Sequence, residues 1–288
     1  MNACKNNGLK LIMGIVRILI FVNMICLLPA FAQNTKKGTE PPTAEEIAKK
    51  KAADKATNDK FQMWKNTLPQ EQQVWETVLE KNLGDFYLPI YQAEKLSNRI
   101  SAWDYVKDNP KLPRVLLIGD SVSRGYTLAA RDALTGKANV HRAPENCGPT
   151  SNGIKKMEVW LGEGKWDVIH FNFGIHDRKT SAKDYEDRLE LIVKQLKATG
   201  AKLIWASTTP IPPDTKDGPE ASTAIIEKNR IAADIMKKNM VHVNDLFAFI
   251  TPQLSKVQNP MDVHFKGDGY DILGKQVALK IEEILKTK

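Results

Sequence analysis

Gly119-Asp120-Ser121 closes a short apolar run, Val115 to Ile118, and amphipathic sequence resumes at about Arg124. The run is rich in β-branched residues and suits a strand buried on both faces. A strand that stops at Gly and hands over to a helix leaves the intervening side chains at the carboxyl edge of a sheet. In open α/β sheets that edge is where ligands bind. Ser121 would stand there with its hydroxyl exposed, above the N–H groups of a helix start. That environment suits a nucleophile and the oxyanion it generates. A turn between strand and helix uses the same three residues for conformational reasons alone, so the tripeptide needs company.

The company lies beyond the other strands. Asn146-Cys147-Gly148-Pro149 follows the second and Gly174-Ile175-His176-Asp177 the third, and Asp262-Val263-His264 precedes the closing helix. Four loops thus bring a hydroxyl, Gly backbone, two histidines and carboxylates to one sheet edge. In these residues the chain resembles the SGNH hydrolase (GDSL esterase) family over about Arg114 to Leu285, with the blocks in family order. The resemblance implies that Ser121 is the nucleophile and an oxyanion donor through its own N–H. It implies that the N–H of Gly148 is a second donor. The family's third block, Gly-x-Asn-Asp, has His176 where the donor Asn stands, and its Asp-x-x-His block has Met261 where the Asp stands, with His264 kept.

Both departures have physical readings. Residues two apart in an extended segment point to the same side, with side chains about 6.5–7 Å apart. Asp262 can then accept from one ring nitrogen of His264 while the other faces Ser121. That makes His264 the general base and then acid, and Asp262 the residue that orients its imidazole. A turn role is the plainer reading of Asp262, with Asp245 or Asp268 as substitutes. An imidazole N–H donates where an amide would, which keeps His176 in the oxyanion hole. A metal site built from His170, His176, Asp177 and His264 is the alternative. Against it, His170 lies inside a strand pattern and no His-x-x-x-His sits on a helix. His141 and His242 read as strand residues.

These loops need a scaffold, and the chain can build one. Its 288 residues are 42% hydrophobic and 26% charged, values of an ordinary globular protein. The formal charge of +8 includes Lys5, Lys10 and Arg17 in the first 32 positions, which hold no acid. Without them 39 Lys+Arg face 34 Asp+Glu, a net +5. That mild, dispersed charge points away from nucleic acid as a partner. Basic positions before an apolar run from Ile18 to Leu28, then Ala30-Phe31-Ala32, predict an export signal over residues 1–32. Arg17 bounds the run and Asn23 interrupts it, against an uncleaved anchor. Cys4 and Cys26 leave with that signal. Cys147 stays alone and reads as a small buried residue rather than a nucleophile.

Residues 33–60 are polar, contain Pro41-Pro42 and read as a linker, disordered or in part helical. Residues 61–111 read as a helical lead-in, with Trp64, Trp75, Val78 and Leu79 among its apolar positions. Trp75 and Trp103 suit core packing more than sugar stacking. Residues 112–288 alternate strand and helix. Strands are predicted at Val115–Ile118, Asn139–Arg142, Asp167–Phe173, Leu203–Ala206 and Val241–Val243. Helices are predicted at Arg124–Leu134, Gly153–Leu161, Ser181–Thr199, Ala221–Lys238 and Tyr270–Leu285. The alternation predicts a parallel sheet covered on both faces, a three-layer α/β/α sandwich with flavodoxin-like strand order. The functional expectation is an exported serine esterase, periplasmic or extracellular, needing no metal or organic cofactor. Its substrates are short acyl esters, O-acetyl groups on carbohydrate above all, and no membrane association follows signal removal. The rivals are a lipase or thioesterase and a non-catalytic glycan-binding protein on an esterase scaffold.

Overall fold

In the computed structural model, residues 43–216 and 218–287 are described. The expected export signal and residues 33–42 of the expected linker lie outside them. Five strands form one parallel sheet: β1 (Arg114–Ile118), β2 (Asn139–Arg142), β3 (Val168–Phe171), β4 (Lys202–Ala206) and β5 (His242–Asn244). Their order is β2-β1-β3-β4-β5, the flavodoxin-like order, with β1 paired to both β2 and β3. The alternation along β1 sorts the core. Val115 and Leu117 face a layer with α4 (Ser121–Ala133) and α10 (Gly267–Lys286), while Leu116 and Ile118 face α5 (Thr150–Leu161), α6 (Ala182–Lys197) and α7 (Gly218–Asn239). Three layers result, as the strand–helix alternation predicts.

Local chemistry sets the helix ends. Asp120 caps α4 by accepting from the N–H groups of Val122 and Ser123, so the helix begins at Ser121, earlier than its apolar periodicity suggests. Gly125 on α4 lets the Tyr270 ring of α10 come so close that a Cβ there would meet it at 2.1 Å. Ser181 caps α6 at the N–H of Asp184, and Tyr185, Leu189, Ile192 and Leu196 form its fully buried stripe. Two short helices between β5 and α10, α8 (Leu246–Ile250) and α9 (Leu254–Val257), have no counterpart in the sequence reading. They are too brief for periodicity to register.

The N-terminal region requires a correction. The expected disordered linker is helical from Ala44, as the first part of α1 (Ala44–Lys65). Lys50–Asp54 and Lys55–Asp59 pair at i,i+4 along its exposed face, at 2.7 and 2.6 Å. Ala, Lys and Glu favour the helix without burial. Pro69 separates α1 from α2 (Gln70–Asn82), and α3 (Gly84–Leu96) follows. These helices share a small core of Phe61, Leu79, Leu83, Tyr91 and Trp103. The indole of Trp103 donates to the Ala143 carbonyl just beyond β2 at 3.2 Å, which joins that core to the sheet.

Candidate active site

Ser121 occupies the first position of α4, at the carboxyl end of β1. Its N–H has no acceptor inside the helix, as for any residue of a first turn. The Ser121 Oγ lies 2.8 Å from His264 Nε2, and His264 Nδ1 lies 2.8 Å from Asp262 Oδ1. The three residues predicted to work together form one bonded chain. Asp245 and Asp268 do not substitute for Asp262. Asp245 caps α8 and accepts from the Ser207 hydroxyl, and Asp268 accepts from the N–H of Gly269.

The route by which Asp262 reaches His264 differs from the extended segment predicted. Asp262 Oδ1 also accepts from the main-chain N–H of His264 at 3.2 Å, an Asx turn in which a carboxylate binds the backbone two residues on. Met261 precedes it at φ +55°. Around the turn, Asn259 N–H donates to the His264 carbonyl at 2.9 Å, and Gln258 bridges Phe265. The turn folds the carboxylate back onto the same residue's ring, so a spacing of two serves where a straight strand would leave a gap. Burial pushes the Asp262 carboxyl up. The hydrogen bonds from the ring and N–H of His264, with its charge, outweigh this and hold the carboxyl below its ordinary value.

A cleft of about 690 Å³ opens over these groups, lined by Ser121, Asp262 and His264, by Arg124 and His176, and by Tyr87 of α3. The helical lead-in is therefore a wall of the site. Burial pushes the Tyr87 phenol up, with the Arg124 charge opposing.

The loop after β2 is tied to the nucleophile loop by the N–H of Cys147, which donates to the Gly119 carbonyl at 3.2 Å. Gly148 follows at φ +66°, a left-handed conformation that favours glycine. Asp177, buried, accepts from the N–H and hydroxyl of Thr150 at 2.8 and 2.6 Å and so starts α5 earlier than predicted. His176 is exposed on a single 3₁₀ turn, Ile175–Asp177, and makes no hydrogen bond among the described residues. Burial pushes the Cys147 thiol up to about 12, leaving it a poor nucleophile.

Two supporting roles are absent from the sequence reading. Arg142, at the end of β2 and 1% exposed, donates to the carbonyls of Gly119 and Asp120 at 3.0 and 2.9 Å and to Ser123 Oγ at 2.7 Å. It fastens both sides of the turn that presents Ser121. Asp177 performs the other service, at the base of the Gly148 loop. A basic residue ending the predicted strand Asn139–Arg142 was the available signal for the first. Nothing local marks the second, because its partner is 27 residues away.

The alternative metal set does not converge. His170 is fully buried on β3 with Nε2 accepting from Asn244 at 3.2 Å, Asp177 is committed to Thr150 and His264 to Ser121. Among the described residues no three His, Cys, Asp or Glu side chains come together as ligands would.

No protein-family model matches the sequence, and no curated protein does. Solved structures match the fold. A lipase/acylhydrolase from Enterococcus faecalis is similar at 19% identity and a TM-score of 0.54, over 59% of this chain and 96% of its own. The acetyl xylan esterase AlAXEase is similar at 16% identity and a TM-score of 0.53, over 58% of this chain and 99% of its own. A catalytic mutant of an acetylxylan esterase from Geobacillus stearothermophilus gives 16% identity and a TM-score of 0.51, over 60% and 94%. This chain is thus built on the three-layer α/β fold of those hydrolase structures, the fold expected of an SGNH hydrolase.

Proposed function

We propose that this protein is an exported serine esterase that hydrolyses short acyl esters, O-acetyl groups on carbohydrate above all. The observation that carries the reading is the chain Ser121–His264–Asp262, with both links at 2.8 Å, opening into a cleft large enough for a sugar ester. The solved acetylxylan esterases of similar fold favour acetyl as the acyl group. The apolar run with its small-residue cleavage pattern before Gln33 supports export.

Ser121 Oγ attacks the ester carbonyl carbon as its proton passes to His264 Nε2. Asp262 accepts from Nδ1–H and stabilises the imidazolium that forms. The negative charge grows on the carbonyl oxygen, where the N–H groups of Ser121 and Gly148 and the ring N–H of His176 are the assigned donors. Collapse breaks the ester C–O bond, and the imidazolium proton goes to the departing alkoxide, releasing the sugar hydroxyl. Water then gives a proton to His264 and adds to the acyl-serine. The second collapse returns that proton to Ser121 Oγ and frees the acid.

A fluorophosphonate probe is expected to label Ser121 covalently, because an unactivated serine does not react. The mature chain is expected to hydrolyse p-nitrophenyl acetate faster than the long-chain ester, with the rate unchanged by EDTA. Absence of labelling together with absence of turnover would point to a glycan-binding protein instead. A preference for long chains would point to lipid substrates.

A further inference from the structure

The cleft holds a cation that the esterase reading leaves unemployed. Arg124 lies one helical turn beyond Ser121 on the same face of α4, and both line the cleft. Its guanidinium carbon stands 5.5 Å from the ring centroid of Tyr87 and 5.6 Å from that of Trp103. Aromatic faces of this kind steady a guanidinium while leaving the donors in its plane unmatched. The Arg124 side chain makes no hydrogen bond or ion pair among the described residues, and its buried Nε lacks an acceptor. Arg142, by contrast, spends its donors on the Gly119 and Asp120 carbonyls.

The surroundings reinforce the charge. Lys216 also lines the cleft, and among the described residues lining it the only carboxylate is Asp262, which already accepts from His264. An oriented guanidinium fork is matched to the two oxygens of a carboxylate or phosphate group. A buried donor without an acceptor is destabilising, which is relieved when a ligand brings one.

We propose that Arg124 binds an anionic oxygen group of the substrate, so that the natural substrate is an acylated sugar carrying a carboxylate or phosphate near the scissile ester. The proposal rests on the serine esterase reading of the same cleft. A neutral acetylated glycan, such as the name acetylxylan esterase implies for the structures of similar fold, would leave the Arg124 fork empty.

The test compares three probes that share one acetyl ester: an O-acetylated methyl galactosiduronate, the corresponding O-acetylated methyl galactoside, and an O-acetylated hexose 6-phosphate. The unmodified protein is expected to favour one anionic probe over the neutral one by about tenfold or more in kcat/KM, chiefly through KM. Which anionic probe wins distinguishes carboxylate from phosphate. In Arg124→Met the ratio is expected to fall toward one, while Arg124→Lys keeps part of it as a point charge. A ratio near one in the unmodified protein, or a ratio that survives Arg124→Met in a protein of unchanged near-UV circular dichroism, overturns the proposal. Ordinary hydrolysis of p-nitrophenyl acetate with no anionic preference sinks the proposal alone. If no ester is turned over, the esterase reading fails. Calorimetric titration of the protein with galacturonate and with glucose 6-phosphate then decides the Arg124 site, and no heat of binding with either overturns it.

Discussion

Two loops of this protein depart from the SGNH hydrolase pattern that its sequence resembles, and the structure treats them in opposite ways. Before α10, Asp262-Val263-His264 has lost a residue of spacing. It still forms a complete hydrogen-bonded relay, because an Asx turn folds the carboxylate back onto the imidazole. After β3, Gly174-Ile175-His176-Asp177 keeps its spacing. There Asp177 is buried and doubly bonded to Thr150, while His176 stands exposed with no hydrogen-bond partner among the described residues. The members of a proton relay are one another's partners and hold their geometry without substrate. A donor to an oxyanion has nothing to bind until that charge forms, so its position must come from the backbone. For His176, the oxyanion donor of the proposed mechanism, that backbone is the 3₁₀ turn closed by the Asp177 N–H on the Gly174 carbonyl at 2.9 Å.

The contrast can be broken by substitution, and the relay side should suffer most. Ser121→Ala and His264→Ala are each expected to lower turnover by about 10⁶, with the double variant scarcely worse, since members of a relay act as a unit. Additive losses would show that the two residues do not share a proton. Asp262→Asn keeps the shape and removes the charge. It should cost about 10⁴, and a loss below tenfold would mean that the Asx turn matters for folding alone.

On the oxyanion side a smaller effect of a different form is expected. His176→Ala should lower kcat by about 10²–10³ with little change in KM, the signature of a donor that acts only on the transition state. His176→Asn restores an amide donor and should retain far more activity. Equal damage from Ala and Asn in a folded protein would remove His176 from the oxyanion hole and place it against bound substrate.

A third histidine sharpens the comparison through stability. His170 is fully buried on β3, and burial pushes its imidazole down to about 3 from an ordinary 6.5. The unfolded chain takes up the proton below 6.5 and the folded one resists it until about 3. Stability is therefore fully present above pH 6.5 and is lost as pH falls toward 3, by about 1.4 kcal/mol per pH unit. Urea unfolding at pH 7 and pH 5 measures this loss, and His170→Gln should flatten it. His141, also pushed down by burial against its Asp108 bond, leaves some slope behind. The relay carboxylate, held below its ordinary value, should outlast the onset of this loss. A slope unchanged in His170→Gln would exclude His170 as its source.

Much of this arrangement was legible in the chain itself. The apolar run before Gly119, the Ser181 cap of α6 and the alternation of strands and helices are local patterns, because burial on both faces, capping and helical period each act within a few residues. Ser121, Gly148, His176 and His264 were legible for a related reason: they follow or flank recognisable elements at one sheet edge. The extent of the polar helix from Ala44 was not legible, because hydrophobic patterning is silent where i,i+4 ion pairs and intrinsic propensity support the helix.

What only the tertiary structure decided is how those loops are held. Arg142 reaches the carbonyls of Gly119 and Asp120 from the neighbouring strand, and Asp177 starts α5 from the far side of β3. Tyr87 and Trp103, from before the sheet, stack on Arg124. Each of these contacts joins residues distant in sequence, and a buried polar group accepts whichever partner the fold brings within hydrogen-bonding distance. Residue types set which chemistry was available at the sheet edge. Chain crossing and burial set which groups are bonded to one another and which, like Arg124 and His176, remain open to a ligand.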